Sequence, residues 1–225
     1  FTRLLARDPE ATSRQEEMLD IVNRSGEHLL DMVDEILSLS KIEAGRVELK
    51  QEVFDVVQML EDIGLMVKSR AEGKGLQFAL DLDTELPPYL YGDAGKLRQV
   101  LINLLSNAVR YTSDGAVRLR AGSQPLADDP AQIILELEVE DSGPGIPKEK
   151  QGEIFDAFVQ LDQAANEDVG TGLGLPISMS LVEMMGGDIG VDSEVGRGSL
   201  FRVTLPMQLA EAERLTPSVD AERQV

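Results

Sequence analysis

The stretch DAGKLRQVLINLLSNAVRYT, residues 93–112, decides how the rest of the chain is read. Asp93 is a residue type that accepts from the free N–H groups opening a helix, and the following TSDG closes the segment. Leucine and valine recur through it at helical spacing. Asn103 and Asn107 are four apart and share one face, with Arg110 and Tyr111 a turn further on. Asparagine has poor helix propensity, so two on a leucine- and valine-rich helix need a reason. Either their amides cap buried backbone groups, or an amide oxygen serves as a hard ligand of the kind that suits Mg²⁺ shared with a substrate's phosphates. In the second reading Arg110 offers a forked donor to a phosphate.

Two glycine-rich segments follow: DSGPGIP at 141–147, directly after a strand pattern, and GTGLGLPI at 170–177, opening a helix. Either alone could be turns and close packing. A helix start preceded by glycines also turns backbone N–H groups toward phosphate oxygens, in the favourable sense of the helix dipole. Gly170, Gly172 and Gly174 would then let a triphosphate approach the main chain. Asp141 ends a strand that alternates Ile133, Leu135, Leu137 and Val139, which puts its carboxylate at the mouth of the core. An adenine amino group would partner it, with Gly143 and Gly145 leaving room for the ring. An Asx turn before glycine accounts for the same aspartate equally well.

Outward from these motifs, the chain divides in two. Ser13 and Glu16 form a capping box, and Met18, Val22, Ser25, Leu29, Met32, Ile36 and Leu39 alternate steps of four and three. The spacing predicts a helix of about 30 residues, about 45 Å long, stopped by Gly45. A lone helix cannot bury such a stripe, so a helical partner is expected, most simply a two-helix hairpin dimerising into a four-helix bundle. After Arg46 the pattern predicts strands at RVELKQEVF, LQFALDLD, AVRLRAG and QIILELEVED. Helices are predicted at VVQMLEDIGLMVKSRAEGKG, at 93–112 and at ISMSLVEMMGG, and a hairpin turns near Gly196 and Gly198. The expected fold class is therefore α+β: a mixed sheet with about three helices, preceded by one long helix. The expected parts are a helical region 1–45, a domain 46–208 and a polar exit linker 209–225.

Composition narrows the functions. The 225 residues carry 41 Asp and Glu against 21 Lys and Arg, a formal charge of −20, which disfavours nucleic acid as a partner. There is no cysteine, which excludes disulfides, thiolate catalysis and thiolate metal sites, and the one histidine, His28, excludes histidine clusters. No apolar run of membrane-spanning length and no signal segment opens the chain, so a soluble, cytoplasmic protein is expected. The start at Phe1 rather than Met suggests a piece of something longer.

In order, NLLSNAVRYT, DSGPGIP, IFDAFVQLD and GTGLGL resemble the N, G1, F and G2 boxes of the sensor histidine kinases of two-component systems. The separations, 38 residues from Asn103 to Asp141 and 29 from Asp141 to Gly170, are ordinary for that family. RSGEHLLDMVDEILSLSKIEAGRVEL resembles the second helix of the family's dimerisation and phosphotransfer hairpin, running into the first strand of its ATP-binding domain. The resemblance covers about residues 1 to 207 and implies the Bergerat (GHKL) α/β sandwich, shared with gyrase B, Hsp90 and MutL. It implies ATP and Mg²⁺ as cofactors, a homodimer through the hairpin, and a response regulator receiver domain as partner. The full-length protein could then be the cytoplasmic part of a membrane-bound sensor.

Carried over by position, Asn107 with Asn103 would hold Mg²⁺, Arg110 stands where the family has Lys, and Tyr111 lies near the nucleotide. Asp141 would read the adenine amino group in a pocket shaped by Gly143, Gly145 and Ile146. Phe155 and Phe158 would anchor one end of a lid, Val159 to Val169, whose other end is the Gly170, Thr171, Gly172, Leu173, Gly174, Leu175 helix start. Two departures stand out. The lid VQLDQAANEDV has Asp162, Glu167 and Asp168 but no basic residue for a γ-phosphate. The family's acceptor motif, of the His-Glu-x-x-Thr-Pro kind on the first hairpin helix, is absent. His28 is followed by Leu-Leu-Asp and lies on the second helix, so the acceptor is expected before Phe1 and no catalytic residue is assigned within the chain.

Two other functions are weighed against phosphoryl transfer to a histidine. ATPases of the gyrase and Hsp90 class place a water-activating Glu four residues before a metal-binding Asn, and counted from Asn103 that position is Gln99, which cannot act as a base. A nucleotide-binding pseudokinase or regulatory module fits the acidic lid and the missing acceptor.

Overall fold

The computed structural model describes residues 13–126, 129–160 and 171–210. The helix α1 spans Ser13–Glu43, then β1 Glu52–Asp55, α2 Val56–Gly73, β2 Gln77–Leu82, β3 Tyr89–Gly92 and α3 Ala94–Tyr111. The second half comprises β4 Ala116–Leu126, β5 Asp129–Asp141, α4 Gly174–Met184, β6 Asp188–Glu194 and β7 Gly198–Leu209. Two short 3₁₀ turns, Lys148–Lys150 and Glu153–Phe155, precede α4.

The strands form one mixed sheet in the order β1-β3-β7-β5-β4-β2. Only β2 and β4 run parallel. One edge of β7 pairs with β5 along its length. Its other edge is shared, with β6 alongside its first half and β3 meeting Gln208 and Leu209 at its end. The predicted strand at 46–54 shrinks to Glu52–Asp55, because it has only β3 to pair with and β3 is four residues long. The strand β3, YLYG, was not expected: two prolines precede it, and four residues carry no usable alternation.

The side-chain alternation sorts the sheet's faces. Val117, Leu119, Leu135, Leu137, Val139, Val203 and Leu205 are buried under a layer of α2, α3 and α4. The intervening residues of the other face form a charge ladder. Arg120 bonds Glu138 at 3.0 Å and Glu140 at 2.5 Å, and Arg202 Nε donates to Glu138 at 3.0 Å. Burial works against ionisation of Glu138, yet the hydrogen bonds from Arg202 and Arg120 outweigh it and hold the carboxyl below its ordinary value.

Three helices end the same way. Gly45, Gly75 and Gly186 take positive φ, donate to the carbonyl three residues back, and leave the next N–H to reach five residues back. That is the Schellman arrangement, and it satisfies carbonyls that a helix end leaves free. Helix α3 ends otherwise: Thr112 is extended, and Lys74 Nζ reaches across from the end of α2 to donate to the carbonyls of Val109 and Arg110, both at 3.1 Å. Its start is fixed by Asp93, whose two oxygens accept from Lys96 N at 2.9 Å and Lys50 N at 2.8 Å.

Among its described residues, helix α1 meets this domain in its last third, where Leu39 and Ile42 pack on the core and Glu35 accepts from Thr171. Of the expected stripe, Met18, Val22, Leu29 and Ile36 are exposed, and so are Ile21, Leu30, Val33 and Leu37 beside it. The apolar surface is thus wider than one seam, as a helix with neighbours on two sides requires.

The packing predicts that Leu135→Ala, at a fully buried position in the central strand, lowers stability by about 2–5 kcal/mol in denaturant unfolding. The exposed Leu65→Ala should change it by about 0.5 kcal/mol or less.

Candidate nucleotide site

Helix α3 is divided lengthwise. Leu97, Val100, Leu101, Leu104, Leu105 and Ala108 are buried against the sheet and neighbouring helices. Gly95, Arg98, Gln99, Asn103, Ser106, Asn107 and Arg110 recur at steps of three and four on the opposite side, where they line a cavity of about 620 Å³. Its opposite walls are Thr171, Gly172, Gly174 and Leu175 at the start of α4, with Asp34, Glu35 and Ser38 of α1. A second, narrower cavity of about 100 Å³ continues from it toward Asp141, Gly145, Ile146 and Phe201. Asn107, Tyr111, Ile154, Val159, Gln160 and Leu175 line both. The two form one site, narrow and deep at Asp141, wide and polar at Arg98 and Arg110.

At the deep end, Asp141 is buried, and its Oδ1 accepts from Gly143 N at 2.8 Å. The Asx turn is therefore formed, and the same carboxylate also lines the cavity, so the two readings of this residue are compatible. Burial pushes its carboxyl up from the ordinary 3.8; the backbone N–H groups of Gly143 and Ser199 pull it back in part, and Glu140 adds repulsion. A Cβ on Gly143 would lie 2.7 Å from Asp141 Oδ1. Gly145 serves the backbone: with φ +72° it passes so close to Glu194 that a Cβ would meet that carbonyl oxygen at 2.1 Å. The loop is then fixed by Ile146 N donating to Ser193 Oγ at 2.8 Å and by Gln151 Nε2 donating to the carbonyls of Ile146 and Ser193. Beside Gly143, the Thr112 hydroxyl is buried with no partner among the described residues, a state that normally calls for a water or a bound molecule.

At the wide end the asparagines part company. Asn103 Nδ2 donates to Ser178 Oγ at 2.8 Å, and its Oδ1 faces Gly174 so closely that a Cβ there would come within 2.2 Å. That amide braces α3 against α4. No hydrogen bond engages Asn107 among the described residues, and its amide sits where the two cavities meet. The first N–H groups of α4 have no side-chain cap. Thr171 Oγ1 instead accepts from Leu173 N at 3.2 Å and donates to Glu35 of α1.

Of the expected site residues, Asn103, Asn107, Arg110, Tyr111, Asp141, Gly145, Ile146, Thr171, Gly172, Gly174 and Leu175 line the site. Gly143 acts from behind Asp141, and Leu173 lies in the core. Phe158 does not line it. The residue is 64% exposed, and its backbone, at φ +66°, donates to Gly172 O at 3.0 Å, so it ties the first end of the expected lid to the glycine turn through main chain. Gly170 and lid residues 161–169 lie outside the described residues. Sequence reading missed Arg98, which the four-residue steps back from Arg110 through Ser106 and Ile102 would have found, and Glu35, which no local signal marks.

Residues 92–209, just over half the chain, match the family described as "Histidine kinase-, DNA gyrase B-, and HSP90-like ATPase". Residues 1–45 match the "His Kinase A (phospho-acceptor) domain". Sensor protein GacS of Pseudomonas syringae pv. syringae is 38% identical over 215 residues, which cover 95% of this chain and 23% of that protein. Hybrid signal transduction histidine kinase B of Dictyostelium discoideum is 38% identical over 195 residues, 86% of this chain and 10% of that one. The chain thus spans a quarter or less of these relatives. Among solved structures, full-length ShkA in complex with AMPPNP aligns with TM-score 0.77 and 33% identity, over 94% of this chain and 42% of that one.

The raised carboxyl of Asp141 gives a signed expectation. A buried acid that holds its proton more tightly when folded subtracts stability as pH rises from 3.8 through its raised value, and the loss is constant above it. Asp141→Asn keeps an oxygen for Gly143 N–H and cannot ionise. Its stability relative to the parent chain should rise across that window and then level off in denaturation series at successive pH values; parallel profiles would refute the assignment.

Proposed function

Because the chain belongs to the sensor histidine kinases within the histidine kinase-, gyrase B- and HSP90-like ATPase family, we propose that it binds ATP with Mg²⁺ and passes the γ-phosphoryl group to a histidine, from which a response regulator's receiver domain takes it. The observation that carries this is the continuous site joining a buried carboxylate at its narrow end to an uncommitted amide, two arginines and an uncapped helix start at its wide end. The narrow end suits a flat heterocycle whose exocyclic amine donates to Asp141, with the Thr112 hydroxyl close behind. Arg98 and Arg110 supply charge to the phosphates, and the first N–H groups of α4 meet them with the dipole in the right sense.

Asn107 is the proposed Mg²⁺ ligand, since its amide oxygen is a hard donor at the junction of base and phosphate ends; Asn103, already bonded to Ser178, has the lesser share. Bound there, the ion would neutralise phosphate charge and hold the transferring group in line. Among the described residues no cluster of acids or histidines could cage an ion unaided, so the ion would arrive with the nucleotide.

Transfer is favoured over hydrolysis by the composition of α3. The residue one turn before Asn107 is Asn103, the one before that is Gln99, and AGKLRQVLINLLSNAVRY contains no acid. No group on this helix could deprotonate a water. The acceptor is proposed to be a histidine other than His28. His28 precedes the cavity-lining Asp34 and Glu35 by about two turns, about 10 Å along α1. The homodimer is proposed to form through the broad apolar face of α1, and ATP as substrate points to the cytoplasm. No described helix is long and apolar enough to cross a membrane.

Titration with a non-hydrolysable ATP analogue should saturate, more tightly with Mg²⁺ than without. Asn107→Ala should remove the Mg²⁺-dependent part; unchanged affinity would refute its role. With labelled ATP and a separately supplied histidine-bearing acceptor helix, label should appear on that helix and be unaffected by His28→Gln. Saturable binding with no transfer would make the chain a regulatory nucleotide-binding module instead. Leu29→Asp should shift the species seen by analytical ultracentrifugation from dimer to monomer.

A further inference from the structure

The long helix does more than lie beside the site. Asp34, Glu35 and Ser38 form one wall of the wide cavity, opposite Arg98 and Arg110. Glu35 goes further, because its carboxylate accepts the hydroxyl hydrogen of Thr171, the residue on which the glycine turn before α4 is built. The same hydroxyl oxygen accepts from Leu173 N at 3.2 Å. With its one hydrogen given to Glu35, Thr171 has none left for a phosphate oxygen. The two acids also offset the two arginines in the part of the site where a polyphosphate tail would lie. None of this reaches the deep end, whose lining includes Asp141, Ile146 and Phe201 but no residue of α1.

We propose that Glu35 determines how strongly the site prefers a phosphorylated over an unphosphorylated adenine ligand: while it holds Thr171 it excludes a terminal phosphate, and when α1 withdraws the triphosphate is admitted. The preference is then a property of where α1 stands. Leu39 and Ile42 pack on the core and Glu35 precedes both along the helix, so a displacement of α1 at Glu35 frees Thr171 without moving those core residues. Base binding and phosphate binding become separable, the first fixed by the domain and the second by the helix.

The inference rests on the nucleotide reading above, and adenosine keeps the two apart. Dissociation constants for adenosine, ADP and ATP with Mg²⁺ are measured by calorimetry on the full chain, on Glu35→Ala and on Asp34→Ala. Glu35→Ala should leave adenosine unchanged, tighten ATP roughly tenfold, as removal of one nearby like charge does, and tighten ADP by less. Asp34→Ala removes a charge from the same wall without freeing Thr171 and should have the smaller effect. Equal tightening of all three ligands, no change for ATP, or an Asp34→Ala effect as large as that of Glu35→Ala would overturn the proposal. No saturable adenosine or ATP binding by any of the proteins would overturn the nucleotide reading, and this inference with it.

Discussion

Everything in the domain depends on helix α3 being held by one face and read by the other. Its leucine face is sealed against the sheet, with Leu101 and Leu105 fully buried, and that burial is what fixes the rotation of the helix about its own axis. A rotation by one residue, 100° on a 3.6-residue turn, would take Asn107 and Arg110 off the cavity and drive polar groups into the core. The hydrophobic pattern therefore sets the chemistry. The polar groups converge because the apolar ones leave no other orientation.

The ends of the helices follow the same division. Three terminate in glycines that close their carbonyls locally, so those ends depend on nothing outside themselves. The end of α3 is closed by Lys74, which makes the position of Arg110, Tyr111 and Thr112 depend on the packing of α2. The start of α4 is the reverse case. Leu173 provides no cap, and the first two residues of the helix, Gly174 and Leu175, line the cavity. An uncapped start costs about 0.5–2 kcal/mol relative to a Ser, Thr, Asp or Asn cap, and such local violations gather where a ligand completes the structure.

These differences explain how much was legible in the sequence. The helices of the domain and six of its seven strands follow from period and caps, because their signals lie within a few residues of the structure they specify. Strand β3 was missed because its pairing partners, Glu52–Asp55 and Leu209, are remote in sequence and its four residues are too few to show a period. That Asn107, Arg110, Asp141 and the α4 start line one cavity was legible because helix spacing or a strand end places them locally. Phe158 lies outside the cavity lining because its contact with the glycine turn is a backbone bond made at positive φ, which nothing in FDAFVQ signals. The different fates of Asn103 and Asn107 depend on Ser178, 75 residues away, which reaches one of them and not the other.

A chain of net charge −20 that is proposed to bind a polyanion presents an apparent contradiction. Exposed charges more than about 8–10 Å apart are screened at physiological salt, so the acids spread over the surface hardly act on the site. What a phosphate meets is set by the few groups within a Debye length inside a walled cavity: Arg98, Arg110 and the free N–H groups of α4 on one side, Asp34 and Glu35 on the other. The positive groups belong to the domain and cannot leave it. The negative ones belong to a helix whose Leu39 and Ile42 pack on the core and whose Glu35 accepts from Thr171. Under the role proposed for Glu35 the local field is adjustable, and its adjustable part is carried by α1.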